Sequence, residues 1–156
     1  MHGRSMRIMK YFRDKYGVRG MIVLDIGSCI VDGQNSCYRT VFEPSCKYTG
    51  MDIVPGRNVD IVGYENITGT YDVVVSGNVM EHVRRPWEWL KGLVPYFDRY
   101  ICITAPNAWK EHRHPIDTYR YLPDGIVDLF DYAGISVLEA AMWKEDTFGV
   151  GGKAHV

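Results

Sequence analysis

Short apolar segments alternate with amphipathic helical patterns along the chain, and this alternation constrains the fold more than any other feature of the sequence. The clearest segment is residues 71–76, in which three consecutive valines stand between Gly69 and Gly77. A run of β-branched residues bounded by glycines predicts a buried central strand. Strands are expected at residues 21–24, 48–53, 59–62, 71–76, 100–104 and 135–142, and helices at residues 5–16, 86–97 and 123–134. This order is typical of an α/β fold with a mostly parallel central sheet and helices on both faces.

The length of 156 residues predicts a single domain, since roughly 150 residues per domain is usual. We divide the chain into an N-terminal helix (residues 1–20), a core (residues 21–145) and a tail (residues 146–156). The tail is rich in glycine, with Gly149, Gly151 and Gly152, and only its last residues are expected to form an edge strand. The last strand of the sheet is therefore predicted to be shortened or incomplete.

The charge and the apolar patterning argue against two classes of partner. Eighteen Lys and Arg residues balance nineteen Asp and Glu residues, so no global basic field attracts nucleic acid. The apolar runs are far shorter than the ~18 residues of a membrane-spanning helix, and residues 1–10 lack the apolar core of a secretory signal. The four cysteines form no C-x-x-C pair, as expected of reduced thiols. These features predict a cytoplasmic protein without a nucleic-acid or membrane partner, and they leave the oligomeric state open.

Polar residues and glycines follow the predicted first, second and fourth strands. These residues are Asp25, Gly27 and Ser28, then Asp52, then Ser76, Gly77 and Asn78. In an open parallel sheet, ligands bind beyond the carboxyl ends of the strands, so these residues are expected to share one crevice. A glycine after the first strand lets the backbone approach a ligand, and an acid after the second strand suits ribose hydroxyls. The pattern predicts a cofactor that contains adenosine.

The turn after the first strand separates two cofactor classes. A dinucleotide requires a glycine-rich turn that leads into a helix N-terminus, where the pyrophosphate binds. Residues 27–33 (GSCIVDG) lack the G-x-G-x-x-G spacing, and Asp32 would repel an anion there. S-adenosylmethionine carries no phosphate and has a positive sulfonium, so acidic residues near it are tolerated. We therefore expect S-adenosylmethionine, with S-adenosylhomocysteine as its product, rather than a nicotinamide dinucleotide.

Three segments resemble motifs of the class I S-adenosylmethionine-dependent methyltransferases. They are residues 23–28 (VLDIGS), 48–53 (YTGMDI) and 71–83 (YDVVVSGNVMEHV), and the last contains a segment similar to the "LEHV" signature of the type 11, UbiE-like branch. The resemblance covers roughly residues 20–145. It implies a Rossmann-like fold and methyl transfer to an oxygen or nitrogen of a small molecule.

The resemblance extends to two loops and implies further site residues. Residues 35–42 are similar to an "N-G-S-Y-R-x-x-F" segment of a subgroup with a shortened first helix, which places Tyr38 and Arg39 beside the methionine moiety of the cofactor. Ile53 is expected to cover one face of the adenine, and Gly63 lies with Val62 and Tyr64 against the other face. The full set of expected cofactor-binding residues is Asp25, Gly27, Ser28, Tyr38, Arg39, Asp52, Ile53, Gly63, Ser76 and Asn78.

Residues 114–125 (HPIDTYRYLPDG) look like an "HPxDYWRFTPxGL" loop of methyltransferases linked to surface polysaccharide or secondary metabolites, which implies a small-molecule acceptor, with a sugar as one candidate. His114 and Asp117 are the candidate bases. Trp109, Tyr119 and Arg120 are the candidate acceptor-binding residues, although Arg120 is equally expected in a surface ion pair.

The H-x-H-x-x-D pattern at His112, His114 and Asp117 is also a candidate metal site. Because the sequence shows no fourth ligand, we expect no metal. Departures from the family pattern leave a second function open. The glycine-rich run after the first strand is reduced to Gly27, and the last strand is expected to be incomplete. A catalytically silent fold that binds a nucleotide metabolite or a protein partner is therefore the alternative hypothesis.

Overall fold

A computed structural model describes residues 3–31 and 35–153 of the chain; Asp32 and Gly33 of the first turn and the last three residues of the tail lie outside this description. The helices are α1 (Gly3–Lys15), α2 (Arg39–Phe42), α3 (Pro86–Leu93) and α4 (Pro123–Ala133). The strands are β1 (Ile22–Ile26), β2 (Lys47–Asp52), β3 (Ile61–Val62), β4 (Tyr71–Gly77), β5 (Phe97–Pro106), β6 (Ile135–Trp143) and β7 (Asp146–Lys153).

The strands form one sheet in the order β3-β2-β1-β4-β5-β7-β6. The first five pair in parallel, and β7 is antiparallel to both of its neighbours. The direction of strand order reverses between β1 and β4, which lie side by side. Their carboxyl ends therefore border the crevice in which such sheets bind ligands. The predicted α/β architecture with a mostly parallel sheet is confirmed.

Helices cover both faces of the sheet because β4 is apolar on both sides. Val74 belongs to the hydrophobic cluster that α3 and α4 cover, whereas Val73 and Val75 belong to the cluster that α1 and α2 cover. All three valines are fully buried. Alternate residues of a strand point to opposite faces, so a continuous apolar run is what a doubly covered strand requires.

The prediction of a shortened last strand at an edge is wrong. Strand β7 has eight residues, and it hydrogen-bonds to β5 on one side and β6 on the other. Its glycines are packing positions, since a Cβ built on Gly151 would lie 2.3 Å from Ile135 Cγ2 and one on Gly149 would lie 2.3 Å from Ile126 Cγ2. The glycine-rich composition reflects close approach of neighbouring side chains to an interior strand, which composition alone does not distinguish from a flexible tail.

Two other boundaries differ from the sequence-based expectation. Helix α3 ends at Leu93, a 3₁₀ turn follows at Val94–Tyr96, and β5 begins at Phe97, which had been assigned to the helix. Pro95 explains this early end, because proline does not donate a backbone hydrogen bond to a continuing helix.

The longest described helix, α1, has 13 residues, and no helix in the described ranges is long and apolar enough to cross a bilayer.

Candidate active site

A cavity of about 560 Å³ opens at the carboxyl ends of β1, β2 and β4. Five of the predicted site residues line it: Gly27, Asp52, Ile53, Asn78 and His114. The other lining residues are Cys29, Val31, Met51, Val54, Tyr64, Gly77, Val79, His82, Val83, Trp89, His112 and Pro115. Another depression, of about 610 Å³, lies near Asp98 and Tyr100 at the opposite end of the sheet and holds none of the predicted residues. The volume of the first cavity is in the range of small-molecule sites, roughly 300–1,000 Å³.

Asp52 stands at the end of β2 with its carboxylate held by the backbone. Its Oδ2 accepts a hydrogen bond from the N–H of Cys29 at 3.0 Å, and its Oδ1 accepts one from the N–H of Ile53 at 2.7 Å. A carboxylate offers about four lone-pair positions, so acceptor capacity remains toward the cavity. Beside it, Ile53 is 68% exposed, which leaves a large apolar side chain at the rim.

The loops after β1 and β4 bring backbone close to the cavity floor. Gly27 has a φ of 78°, and a Cβ at that position would lie 2.1 Å from Val79 Cγ2. Asn78 also has a left-handed backbone, with φ of 57°, and donates its N–H to the carbonyl of Thr104 at 2.9 Å. The Oδ1 of Asn78 is buried and has no hydrogen-bond partner among the described residues. An unpaired acceptor is therefore present in a residue that lines the cavity.

Asp25 is fully buried beneath the cavity rather than part of its lining. The Tyr48 hydroxyl donates a 2.5 Å hydrogen bond to its Oδ2, while its Oδ1 has no partner in the described ranges. Burial raises the pKa of the Asp25 carboxyl to about 7, and the nearby Asp52 charge acts in the same direction, against the effect of the Tyr48 hydrogen bond.

The remaining predicted cofactor residues do not line the cavity. Ser28 Oγ donates to the carbonyl of Asn58, and Ser76 Oγ donates to that of Ile26. Tyr38 is fully buried, with its hydroxyl 3.3 Å from Thr104 Oγ1. Gly63, with φ of 83°, precedes a 3₁₀ turn at Tyr64–Asn66.

Arg39 differs most from the role expected for it, which was to bind the cofactor's carboxylate. Its guanidinium donates to Asp60 at 2.5 Å, to Asn58 Oδ1 at 2.7 Å and to Glu43 at 3.1 Å. It also lies over the ring of Tyr48, with 4.5 Å between Cζ and the ring centroid. These partners hold Arg39 outside the cavity lining. Its guanidinium connects α2 to β2 and to the loop that follows β2.

The loop between β5 and α4, residues 107–122, carries the expected acceptor residues. Asp117 receives two hydrogen bonds from Arg120, at 2.6 and 2.7 Å, and one from the backbone N–H of His112 at 2.7 Å. These donors hold the pKa of the Asp117 carboxyl well below its usual range. A carboxylate held ionised in this way has little affinity for a proton, which favours His114 over Asp117 as the base.

The expected acceptor residues lie apart from the cavity. The Arg120 guanidinium also donates to the carbonyl of Trp109 at 2.6 Å, so it is committed to the loop. Trp109 lies under the guanidinium of Arg4, with 4.8 Å between Cζ and the ring centroid. Tyr119 is 40% exposed and packs near Tyr121, with ring centroids 6.1 Å apart. None of the three lines the cavity, whereas His114 does.

A cluster of histidines and one acid forms the cavity wall on the side of this loop. The ring centroids of His82 and His112 are 5.0 Å apart, and that of His114 is 5.5 Å from His82. Glu81 is fully buried behind them, on the 3₁₀ turn Met80–His82. Burial raises the pKa of the Glu81 carboxyl to about 8 and lowers the pKa of His82. Among the described residues, Glu81, His82 and His112 form a group whose ligand atoms all lie within 4.8 Å of one another.

Sequence reasoning missed some of these residues. His82 and Trp89 line the cavity, and the Trp89 indole donates to the Tyr64 hydroxyl at 2.7 Å, although neither residue is among the expected site residues. For His82, the available signal was its position on the turn that follows β4, at the crevice of the sheet.

Comparison with known proteins supports the fold through structure rather than through sequence. No family model matches the chain. The curated relatives include neuronal acetylcholine receptor subunit beta-4 of Rattus norvegicus and of Mus musculus, each 30% identical over 113 residues. That alignment covers 62% of this chain and 23% of each receptor subunit, so the chain spans less than a quarter of those relatives. The sequence comparison leaves the family open.

Solved structures give a consistent picture. Burkholderia thailandensis 1,6-didemethyltoxoflavin-N1-methyltransferase, bound to its substrate and S-adenosylhomocysteine, is similar with a TM-score of 0.75 and 14% identity over 97% of this chain and 79% of that one. The chain has the class I methyltransferase fold. Magnesium protoporphyrin IX methyltransferase from Synechocystis PCC 6803, with S-adenosylhomocysteine, is similar with a TM-score of 0.72 and 14% identity, and the match covers 96% of this chain and 82% of that one. The N-terminal domain of EvdMO1, with S-adenosylhomocysteine and D-fucose, has a TM-score of 0.61 and 18% identity, and the match covers 99% of this chain and 84% of that one.

Proposed function

We propose that this chain is an S-adenosylmethionine-dependent methyltransferase that transfers the methyl group to an oxygen or nitrogen of a small molecule. One observation carries the proposal: a single cavity joins the ends of β1, β2 and β4 to a wall of histidines, and Gly27, Asp52, Asn78 and His114 all line it. A cofactor subsite and a proton-accepting group are thus parts of one space. The type 11 branch rests on the sequence of residues 80–83 alone and is part of this proposal.

The residues at the strand ends fit the cofactor. Asp52 retains acceptor capacity for ribose hydroxyls while Cys29 and Ile53 fix its orientation. The exposed Ile53 and the paired rings of Tyr64 and Trp89 offer apolar surface for the adenine. The unpaired Oδ1 of Asn78 is an acceptor suited to the methionine ammonium. When bound, S-adenosylmethionine supplies a methyl group that its sulfonium has already activated.

The chain's own contribution to the chemistry is alignment and proton transfer. The cavity walls would hold the acceptor against the bound cofactor, and alignment of two reacting partners supplies much of the acceleration of such a reaction. His114 accepts the proton that the acceptor's hydroxyl or amine loses as it gains the methyl group. Asp117 and Arg120 take no part in proton transfer; their ion pair shapes the loop that carries His114.

The acceptor class is proposed from the loop sequence and from one structural neighbour. Residues 114–125 resemble a loop of methyltransferases linked to polysaccharide or secondary metabolites, and the similar EvdMO1 domain was crystallised with D-fucose. Sugars are therefore the first acceptors to test.

The test is incubation of the full chain with S-adenosylmethionine carrying an isotopic methyl group and a panel of sugars, phenols and amines. The proposal expects a methylated product formed one for one with S-adenosylhomocysteine. Binding of S-adenosylhomocysteine without product from any acceptor would favour the silent-fold alternative instead.

A further inference from the structure

Glu81 presents a buried carboxyl group that forms no hydrogen bond with another side chain of the described chain. Its side chain has no exposed surface, and both of its carboxyl oxygens lack a hydrogen-bond partner within the described ranges. The Nε2 of His82 and the Nε2 of His112 each lie 3.7 Å from Glu81 Oε1. These distances exceed hydrogen-bond length, so the three groups converge without bonding to one another. A buried carboxyl without partners is costly unless a cation or a proton compensates it.

Both imidazoles are oriented with Nε2 toward Glu81 by contacts at their other nitrogen. His82 Nδ1 lies 2.6 Å from the carbonyl of Ile116, and His112 Nδ1 lies 3.1 Å from that of Lys110. A carbonyl only accepts hydrogen bonds, so each Nδ1 carries a proton and Nε2 is the nitrogen available to a metal ion. Asp117 Oδ2 lies 3.3 Å from His112 Nδ1 and adds a carboxylate behind that ring. Histidines that bind metals are held in this way, by a carbonyl or carboxylate at the opposite nitrogen.

The spacing fits an ion at the centre of the three ligand atoms. Metal–ligand distances of about 2.0–2.2 Å place tetrahedral ligands roughly 3.3 Å from one another. The two carboxyl–imidazole separations of 3.7 Å need only a small contraction to reach that value, and all three ligand atoms lie within 4.8 Å of one another, which is the widest span that the ion has to close.

The backbone under the cluster is fixed by the same loop. Thr118 donates both its N–H and its hydroxyl to the carbonyl of Glu81, each at 2.8 Å, and the Tyr121 hydroxyl donates to the carbonyl of Met80 at 3.1 Å. The turn that carries Glu81 and His82 and the loop that carries His112 therefore form one preorganised unit.

We propose that Glu81, His82 and His112 bind one divalent transition-metal ion, of which Zn²⁺ is the representative. Two imidazoles and a carboxylate are a ligand set that such ions favour, and three protein ligands leave a coordination position open. His82 and His112 line the cavity whereas Glu81 lies behind them, so the open position faces the space proposed for the acceptor. An oxygen of the acceptor occupies it; this role rests on the proposed function, but the metal site itself does not.

The sequence pattern at His112, His114 and Asp117 shows no fourth ligand and predicts no metal. The ligand set in the structure is a different one, in which Glu81 and His82 from the turn after β4 join His112. Asp117 lies behind the His112 ring, near its Nδ1, and His114 lies outside the set.

The experiment measures metal binding by the full chain in the absence of cofactor and acceptor. The chelator-treated protein is titrated with Zn²⁺ by calorimetry and with Co²⁺ by visible absorption, which reports the coordination of the ion directly. Glu81→Gln, His82→Asn and His112→Asn are compared with wild type. Asparagine keeps a donor near the position of Nδ1 and removes Nε2. Asp128→Asn, which removes an exposed carboxylate on α4, is the matched control.

We expect one ion per chain in wild type and in Asp128→Asn, and at least a tenfold weaker affinity in each of the three ligand variants. Circular dichroism of each variant establishes that it is folded, and a raised Tm of wild type with Zn²⁺ gives a second readout. Absence of stoichiometric binding by folded wild type, or equal affinity in the ligand variants, would overturn the proposal. S-adenosylhomocysteine is titrated into the same samples. Its binding without metal binding would overturn the metal site alone, whereas metal binding without S-adenosylhomocysteine binding would count against the proposed function alone.

Discussion

The hydroxyl of Tyr48 on β2 donates a 2.5 Å hydrogen bond to the carboxyl of Asp25 on β1, at a point where no solvent reaches the acid. Among the described residues, Tyr48 is thus the side chain that hydrogen-bonds to an acid that the fold keeps directly beneath the cavity. The pKa of Asp25 rises to about 7 because burial disfavours its charged form more than the Tyr48 hydrogen bond favours it.

This raised pKa predicts how stability depends on pH. Between about pH 4 and pH 7 the unfolded Asp25 loses its proton while the folded one retains it, so the free energy of unfolding falls as pH rises through this window. Asp25→Asn removes the ionisation, so the free energy of unfolding of the variant should fall by a few kcal/mol less than that of wild type over this window. Urea unfolding of both proteins at pH 5 and pH 8 measures the difference. Parallel pH profiles for wild type and variant would contradict the account.

Asp52→Asn tests the cofactor end of the cavity. The substitution keeps an oxygen for the Cys29 N–H but removes the charge that strengthens hydrogen bonds to ribose hydroxyls. A hydrogen bond to a charged group contributes about 1.5–3 kcal/mol. We expect the Kd for S-adenosylhomocysteine to rise about 10- to 100-fold. Quenching of tryptophan fluorescence reports the binding, because Trp89 lines the same cavity. Unchanged affinity, relative to wild type and Asp128→Asn, would remove Asp52 from the cofactor site.

His114→Asn tests the proton acceptor. General-base catalysis contributes roughly 100- to 10,000-fold, so kcat should fall by about two orders of magnitude for a hydroxyl acceptor. The Kd of the cofactor should stay within twofold, since the ring lies on the loop side of the cavity. Single-turnover rates and equilibrium binding on the same preparation separate the two effects. A variant that loses cofactor affinity but keeps its turnover would reverse the assignment.

Gly151→Ala tests the interior position of β7. The added Cβ would lie 2.3 Å from Ile135 Cγ2 and 2.8 Å from Phe130 Cε2, and overpacking of this kind destabilises a core by about 1–3 kcal/mol. Gly92→Ala is the matched control, because a Cβ there meets nothing within 4 Å. Urea unfolding should show a loss for the first variant and no loss for the second. Equal stability of the two would mean that β7 does not pack against α4.

The sequence predicted the parallel part of the sheet and part of the cavity for one physical reason. Parallel strands end at the same edge of a sheet, so residues directly after them must be neighbours. Gly27, Asp52 and Asn78 are found together on that basis. The run of β-branched residues between two glycines likewise predicted β4, whose valines alternate between the two cores.

Other features depend on contacts that local pattern does not encode. Glycine-rich composition predicted a shortened edge strand in the tail, whereas the glycines of β7 make room for Ile126 and Ile135. The approach of His112 to Glu81 depends on the path of a loop fixed by Asp117, Arg120 and Thr118. Spacing along the chain shows His112 near His114, but only the folded loop brings it to the turn after β4.

The central claim is that the cavity at the ends of β1, β2 and β4 binds S-adenosylmethionine. Calorimetric titration of the full chain with S-adenosylmethionine, S-adenosylhomocysteine and, as the comparison ligand, NAD tests it most directly. The account predicts saturable one-to-one binding of the two sulfur compounds and none of NAD. Absence of binding for both sulfur compounds by folded protein, or binding of NAD in their place, would contradict it.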